Sequence, residues 1–216
     1  MENTKELIKN KAFILNVIII VLEIIGIAIS YHNGGIKNLV YYTVDSNILA
    51  LISCVLFVIV MMQGRKSKFV SMLRYIATVN LALTFTIVVF VFVPMCIPYG
   101  YDAVAEILYR GAQWSHHLLC PLFSMISFVL FEKSDILFEN RHDIEKKNSK
   151  IATVFTFAYA IVLVILNICK VVRGPYPFLL VYEQPVWTSV LWFIGIVLVA
   201  YGYSLLIGKL YRMRRG

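Results

Sequence analysis

Charge is what this chain has least of. Only 15% of its 216 residues are Asp, Glu, Lys or Arg, while 60% are hydrophobic, and the mean hydropathy is +0.80. A soluble domain is about a quarter charged, so the composition excludes an ordinary soluble fold and indicates a membrane protein. Cysteine is scarce too. Cys54, Cys96, Cys120 and Cys169 lack CxxC or zinc-ribbon spacing, and three fall in or near apolar runs, where a thiol packs as a small apolar group. No internal repeat, low-complexity tract or long polar stretch is present, so no soluble domain fits between the apolar runs. No small-residue cleavage site follows the first run, which is therefore expected to span rather than serve as a signal peptide.

What is present is apolar length. Uninterrupted runs of about twenty residues, enough to cross a bilayer as helix, occur six times, at roughly 12–30, 42–62, 69–93, 114–131, 151–172 and 186–208. The fold class predicted is all-α: one polytopic domain of six transmembrane helices covering residues 1–216. Sixteen of the 20 Lys and Arg fall on the side that holds both termini. Lys37, Arg110, Lys170 and Arg173 fall on the other. That bias predicts cytoplasmic termini in a cell membrane. The net charge of +8 is then a topology signal and an attraction to anionic headgroups, and nucleic acid is excluded as a partner.

The other polar residues collect at the opposite, extracytoplasmic end. The second run opens with "YYTVDSN", which carries Thr43, Asp45, Ser46 and Asn47, and the fourth with "QWSHHLLCP", which carries His116 and His117. The fifth run ends in "NICKVVRGPYPF", which holds Arg173 and Tyr176. At about 100° per residue, Thr43, Asn47, Ala50 and Cys54 share one helix face, and His116, Cys120, Ser124 and Ser127 another. Such small or polar stripes face inward in membranes, which points Thr43 and His116 towards each other. Asp45 would face elsewhere on a regular helix.

Simpler roles account for some of these residues. A helix cap explains one or two residues of "TVDSN", but not the whole cluster. An interhelical hydrogen bond suffices for His117, and for Asn80 in the third run. Tyr176, Trp114, Trp187 and Tyr182 suit an interfacial aromatic belt. Glu23, ionisable and inside the first run, is a site hypothesis by default.

Three chemistries fit the polar end. A threonine hydroxyl attacks an acyl carbon when a histidine takes its proton and a donor such as Asn47 holds the oxyanion. Zinc on His32, His116, His117 and Asp45 would activate water, although adjacent histidines on one helix diverge. A transporter or lipid-binding protein would use the same cup without covalent chemistry, but no paired broken helices support it. Spacing alone leaves these open.

"YYTVDSNIL", "SHHLLCPL" and "GPYPF", in this order across six spans, resemble the androgen-induced and androgen-dependent transmembrane hydrolases and their small bacterial relatives. The resemblance implies hydrolysis of lipid esters such as fatty acid esters of hydroxy fatty acids, with no cofactor and no metal. It implies Thr43 as nucleophile and, as the histidine five residues before Pro121, His116 as its partner. Tyr176, Pro177 and Phe178 match the family's aromatic-Pro-Phe turn. An acidic residue three positions after the threonine in some relatives is Ser46 here, with Asp45 one position earlier. The expected site is thus Thr43 and His116 with support from Asn47, Ser46, Asp45 and His117, and with Arg173, Tyr176 and Glu23 towards substrate. The expected partners are an ester-bearing lipid and the bilayer; the oligomeric state stays open.

Overall fold

The third span is the axis on which the other helices are arranged. In the computed structural model, which describes residues 7, 9–133, 137 and 142–214, six helices are long and apolar enough to cross a membrane: Lys11–Val40, Tyr42–Met62, Lys68–Tyr99, Trp114–Phe131, Lys146–Ile168 and Val186–Met213. The chain is all-α, with no strand among the described residues. Half of the third span's apolar window is buried, against 17% of the sixth's, so the third is enclosed and the sixth peripheral. From Arg74 to Thr84 only Ile76 escapes full burial. The third span packs on the second, fourth, fifth and sixth, and the first closes the bundle against the second and fourth.

Apolar burial cannot hold helices together in lipid, so side-chain hydrogen bonds and close packing carry that role. The Asn80 carboxamide oxygen accepts from the hydroxyls of Tyr42 and Thr156 (2.8 Å for Thr156), tying the second, third and fifth spans. Thr78 and Ser124 join the third and fourth at 2.9 Å. Tyr75 donates to the Ser204 carbonyl of the sixth. Asn80 is thus the interhelical link expected.

Two elements differ from the sequence reading. The third span does not stop before Pro94. A π-helical turn, Val88–Phe92, absorbs the missing proline N–H, and helix continues through Val93–Cys96 to Tyr99. The stretch after it, which falls between the third and fourth apolar runs, contains a short amphipathic helix, Tyr101–Leu108. The start of the first span, the end of the fourth and the end of the sixth share one end of the bundle. There Lys11 Nζ lies over the Phe131 ring at 5.4 Å, and Arg214 Nη1 donates to the Val129 carbonyl at 3.0 Å. Lys5, Arg141 and Arg215, counted in the charge bias, lie outside the described residues.

Near that end stands Arg74, one of the sixteen Lys and Arg on the side of the termini. It is fully buried and paired with equally buried Glu132 at 2.8 Å. Glu132 Oε1 also accepts from Asn16 (3.1 Å) and Ser127 (2.9 Å), while Arg74 donates to Ser53, Cys54 and Ser124. A second π-helical turn, Ser127–Phe131, lets the Glu132 N–H return to the Ser127 carbonyl and turns Glu132 into the bundle.

Candidate functional site at the end opposite the termini

The second span begins its helix at Tyr42, with Tyr41 extended before it, so Thr43 stands in the first turn. The carbonyl of Thr43 accepts from Asn47 Nδ2 at 2.7 Å and from the Ser46 hydroxyl at 3.0 Å. Asn47, Ala50 and Cys54, expected on the inward face with Thr43, are all fully buried. Thr43 itself is half-buried.

The fourth span opens with a π-helical turn, Trp114–Leu119, in which the Cys120 N–H bonds the Ser115 carbonyl. The next donor in that register would be residue 121, a proline with no N–H. The His116 carbonyl is thereby left without a helical donor, and Asn47 Nδ2 reaches it at 3.4 Å. One amide thus links the backbones of Thr43 and His116. The Asn47 amide nitrogen, expected to donate to an oxyanion, is directed at these two carbonyls. Ser46, fully buried, meets the Thr84 hydroxyl at 3.1 Å.

His116, Cys120, Ser124 and Ser127 are buried together, as the stripe predicted. His117 bonds through Nδ1 to the Ile107 carbonyl at 2.7 Å. That nitrogen must donate, and the bond ties the fourth span to the short helix Tyr101–Leu108. It is the satisfied histidine expected.

Thr43, His116, His117 and Tyr176 line one cavity of about 670 Å³, with Glu106 and Arg110 on its polar wall. A second, apolar recess of about 50 Å³ is lined by Thr43, Tyr42, Leu83, Phe92, Tyr176 and Ile196 among others. Thr43, Phe92 and Tyr176 border both. The threonine therefore stands where a cavity of mixed lining meets an apolar recess.

Tyr176 is not a belt aromatic. Its ring lies 6.1 Å from that of Tyr41, edge-on, and 5.6 Å from that of Phe92, stacked. Burial pushes its phenol up to about 12, against an opposing pull from the Thr43 side chain and the N–H groups of Thr43 and Tyr42. The hydroxyl therefore faces the N-terminus of the second helix, where first-turn N–H groups have no helical acceptor. Tyr182 and Trp187 are exposed, as belt residues are.

The remaining expected residues are not brought to the cavity. Arg173 is exposed and held by Glu183 at 2.9 Å, and it lines neither space. The loop after the fifth span directs Tyr176 inward and leaves Arg173 outside, whereas Arg110 lines the cavity and was overlooked. Arg110 itself bonds Glu106 at 2.9 Å and Asp102 at 3.3 Å. Asp45 is half-buried and lines neither space. Glu23 is fully buried behind His116, away from any substrate position in the cavity. His32 is exposed, and no three His, Cys, Asp or Glu side chains among the described residues come together as a metal site would need.

No protein-family model, curated protein or solved structure matches this chain.

Proposed function

We propose that this protein is an intramembrane hydrolase of lipid esters, with Thr43 as nucleophile and His116 as general base. Fatty acid esters of hydroxy fatty acids are the substrate class suggested by its resemblance to the androgen-induced and androgen-dependent transmembrane hydrolases. The observation that carries the reading is that Thr43 and His116, 73 positions apart in the sequence, line one cavity and are linked through Asn47.

In the first half-reaction Thr43 Oγ1 attacks the ester carbonyl as its proton passes to His116. The carbonyl oxygen becomes an oxyanion. Tyr176 and the N–H groups of Tyr42 and Thr43, which gather beside the Thr43 side chain, would hold it. Collapse of the intermediate expels the alcohol, which takes the proton from His116 and leaves an acyl-threonine. Water, deprotonated by the same histidine, then releases the acid and restores Thr43. Apolar walls suit acyl chains, and Arg110 is the cavity's cation for an acidic head.

The bias of Lys and Arg supports cytoplasmic termini and an extracytoplasmic site in the cell membrane. The proposal is tested by hydrolysis of a fatty acid ester of a hydroxy fatty acid by the purified protein in nanodiscs. Turnover is expected, with complete loss in Thr43→Ala. Saturable binding or flux without turnover would instead identify a transporter or lipid-binding protein.

A further inference from the structure

Glu23 takes no part in the chemistry just described, yet its placement is specific. It lies well inside the first span with no exposed surface. Neither carboxylate oxygen meets a hydrogen-bond donor at bonding geometry; the Cys120 thiol lies beside them. The ionisable side chain within ion-pair distance is His116, whose Nε2 is 3.7 Å from Glu23 Oε2. That nitrogen is likewise enclosed and without a hydrogen-bond partner.

A second feature of the same helix is directed at the same ring. Gly26, one turn beyond Glu23, is buried, and a Cβ built there would sit 2.5 Å from both His116 Nε2 and Ser115 Oγ. Only glycine leaves room for the imidazole. The first span thus offers His116 an acceptor at one position and a space at the next turn. An intramembrane carboxylate is costly wherever it stands, and here it is flanked by a ring nitrogen and a thiol.

A neutral imidazole has one donor nitrogen and one acceptor. His116 lines the cavity while its Nε2 is enclosed, so Nδ1 is the nitrogen left for the cavity. An acceptor at Nε2 favours the tautomer with the proton there and frees the Nδ1 lone pair. We infer that Glu23 is a positioning residue that fixes His116 as the Nε2–H tautomer, with Nδ1 turned to Thr43 as the base.

The catalytic consequence rests on the hydrolase reading; the tautomer does not. In the reaction, the Thr43 proton moves to Nδ1 and later from Nδ1 to the leaving alcohol. The Nε2 proton stays in place throughout, and its contact with Glu23 tightens while the ring is cationic. Glu23 itself gains no proton.

The test uses full-length protein in nanodiscs with 15N-labelled histidine, the His116 signals being assigned by their absence in His116→Gln. At about pH 8 the wild type is expected to show the Nε2–H tautomer. Glu23→Leu should move the population towards Nδ1–H, and Glu23→Asp should restore most of the original spectrum. Fluorophosphonate labelling of Thr43 should slow on the order of 100-fold in Glu23→Leu, with little change in KM for the lipid ester and recovery in Glu23→Asp. Gly26→Ala, which keeps the carboxylate but crowds the ring, should slow labelling too. An unchanged tautomer in Glu23→Leu, or labelling within about twofold of wild type, overturns the assignment. A tautomer that responds as expected in a wild type that never labels supports the pairing and refutes the hydrolase.

Discussion

Thr43 has two unlike neighbourhoods, a larger cavity with polar and charged groups among its lining on one side and an apolar recess on the other, and an ester between a polar head and an acyl chain has the same division. Its hydroxyl is near enough to Tyr176 to influence it, while its carbonyl is held by Asn47 and Ser46. Replacing Asn47 by Leu should therefore lower turnover without removing the nucleophile. A loss of about 10-fold or more in kcat is expected from the misplaced pair, with Thr43 still labelled, slowly, by fluorophosphonate. Tyr176→Phe deletes a donor and leaves the ring stack, so kcat should fall about 100-fold while thermal unfolding is unchanged. The Tyr176 phenol, raised to about 12 by burial, stays neutral as pH rises through the physiological range. The pH–rate profile should accordingly show no alkaline loss from this residue below about pH 11, and such a loss absent in Tyr176→Phe would contradict the assignment.

At the level of elements, two local devices shape the site. The π-helical turn at Trp114–Leu119, together with Pro121, frees the His116 carbonyl for Asn47. The turn after the fifth span carries Tyr176 inward and needs Gly174, because a Cβ there would sit 2.3 Å from the Leu179 carbonyl oxygen. Gly174→Ala is expected to displace this turn and reduce turnover while the six helices persist by circular dichroism. The buried pair at the other end is a separate matter. Breaking it by Arg74→Met strands Glu132 uncompensated and should destabilise the fold by about 3–5 kcal/mol. Replacing both partners with apolar residues of similar volume should recover much of that loss in detergent unfolding. These devices were only partly legible in the sequence. The inward stripes of the second and fourth spans follow from helical phase, because small and polar side chains avoid lipid. Arg74 and Glu132 lie 58 positions apart and each stands beside a Lys- and Arg-rich segment at the end of an apolar run, where a buried charge and a flanking one look alike. Tyr176 follows a proline turn at the expected membrane edge, where inward and belt orientations share one pattern.

For the molecule as a whole, the six spans were readable because lipid-facing length leaves an unmistakable apolar run, and the third span's central place was not, because burial on all sides and exposure to lipid call for the same residues. Topology has its own check. Cys169 is the exposed free cysteine at the end of the fifth span, on the side predicted to be extracytoplasmic. A membrane-impermeant maleimide should label it on intact cells, and labelling only after permeabilisation would invert the orientation. Whether Thr43 is an activated nucleophile facing the cavity is read from the intact mass of the purified protein after exposure to a lipid-like fluorophosphonate, followed by peptide mapping. A single adduct on Thr43 that is lost in His116→Ala is expected. Ester hydrolysis with no adduct at Thr43, or an adduct there that persists without His116, would contradict that role of Thr43.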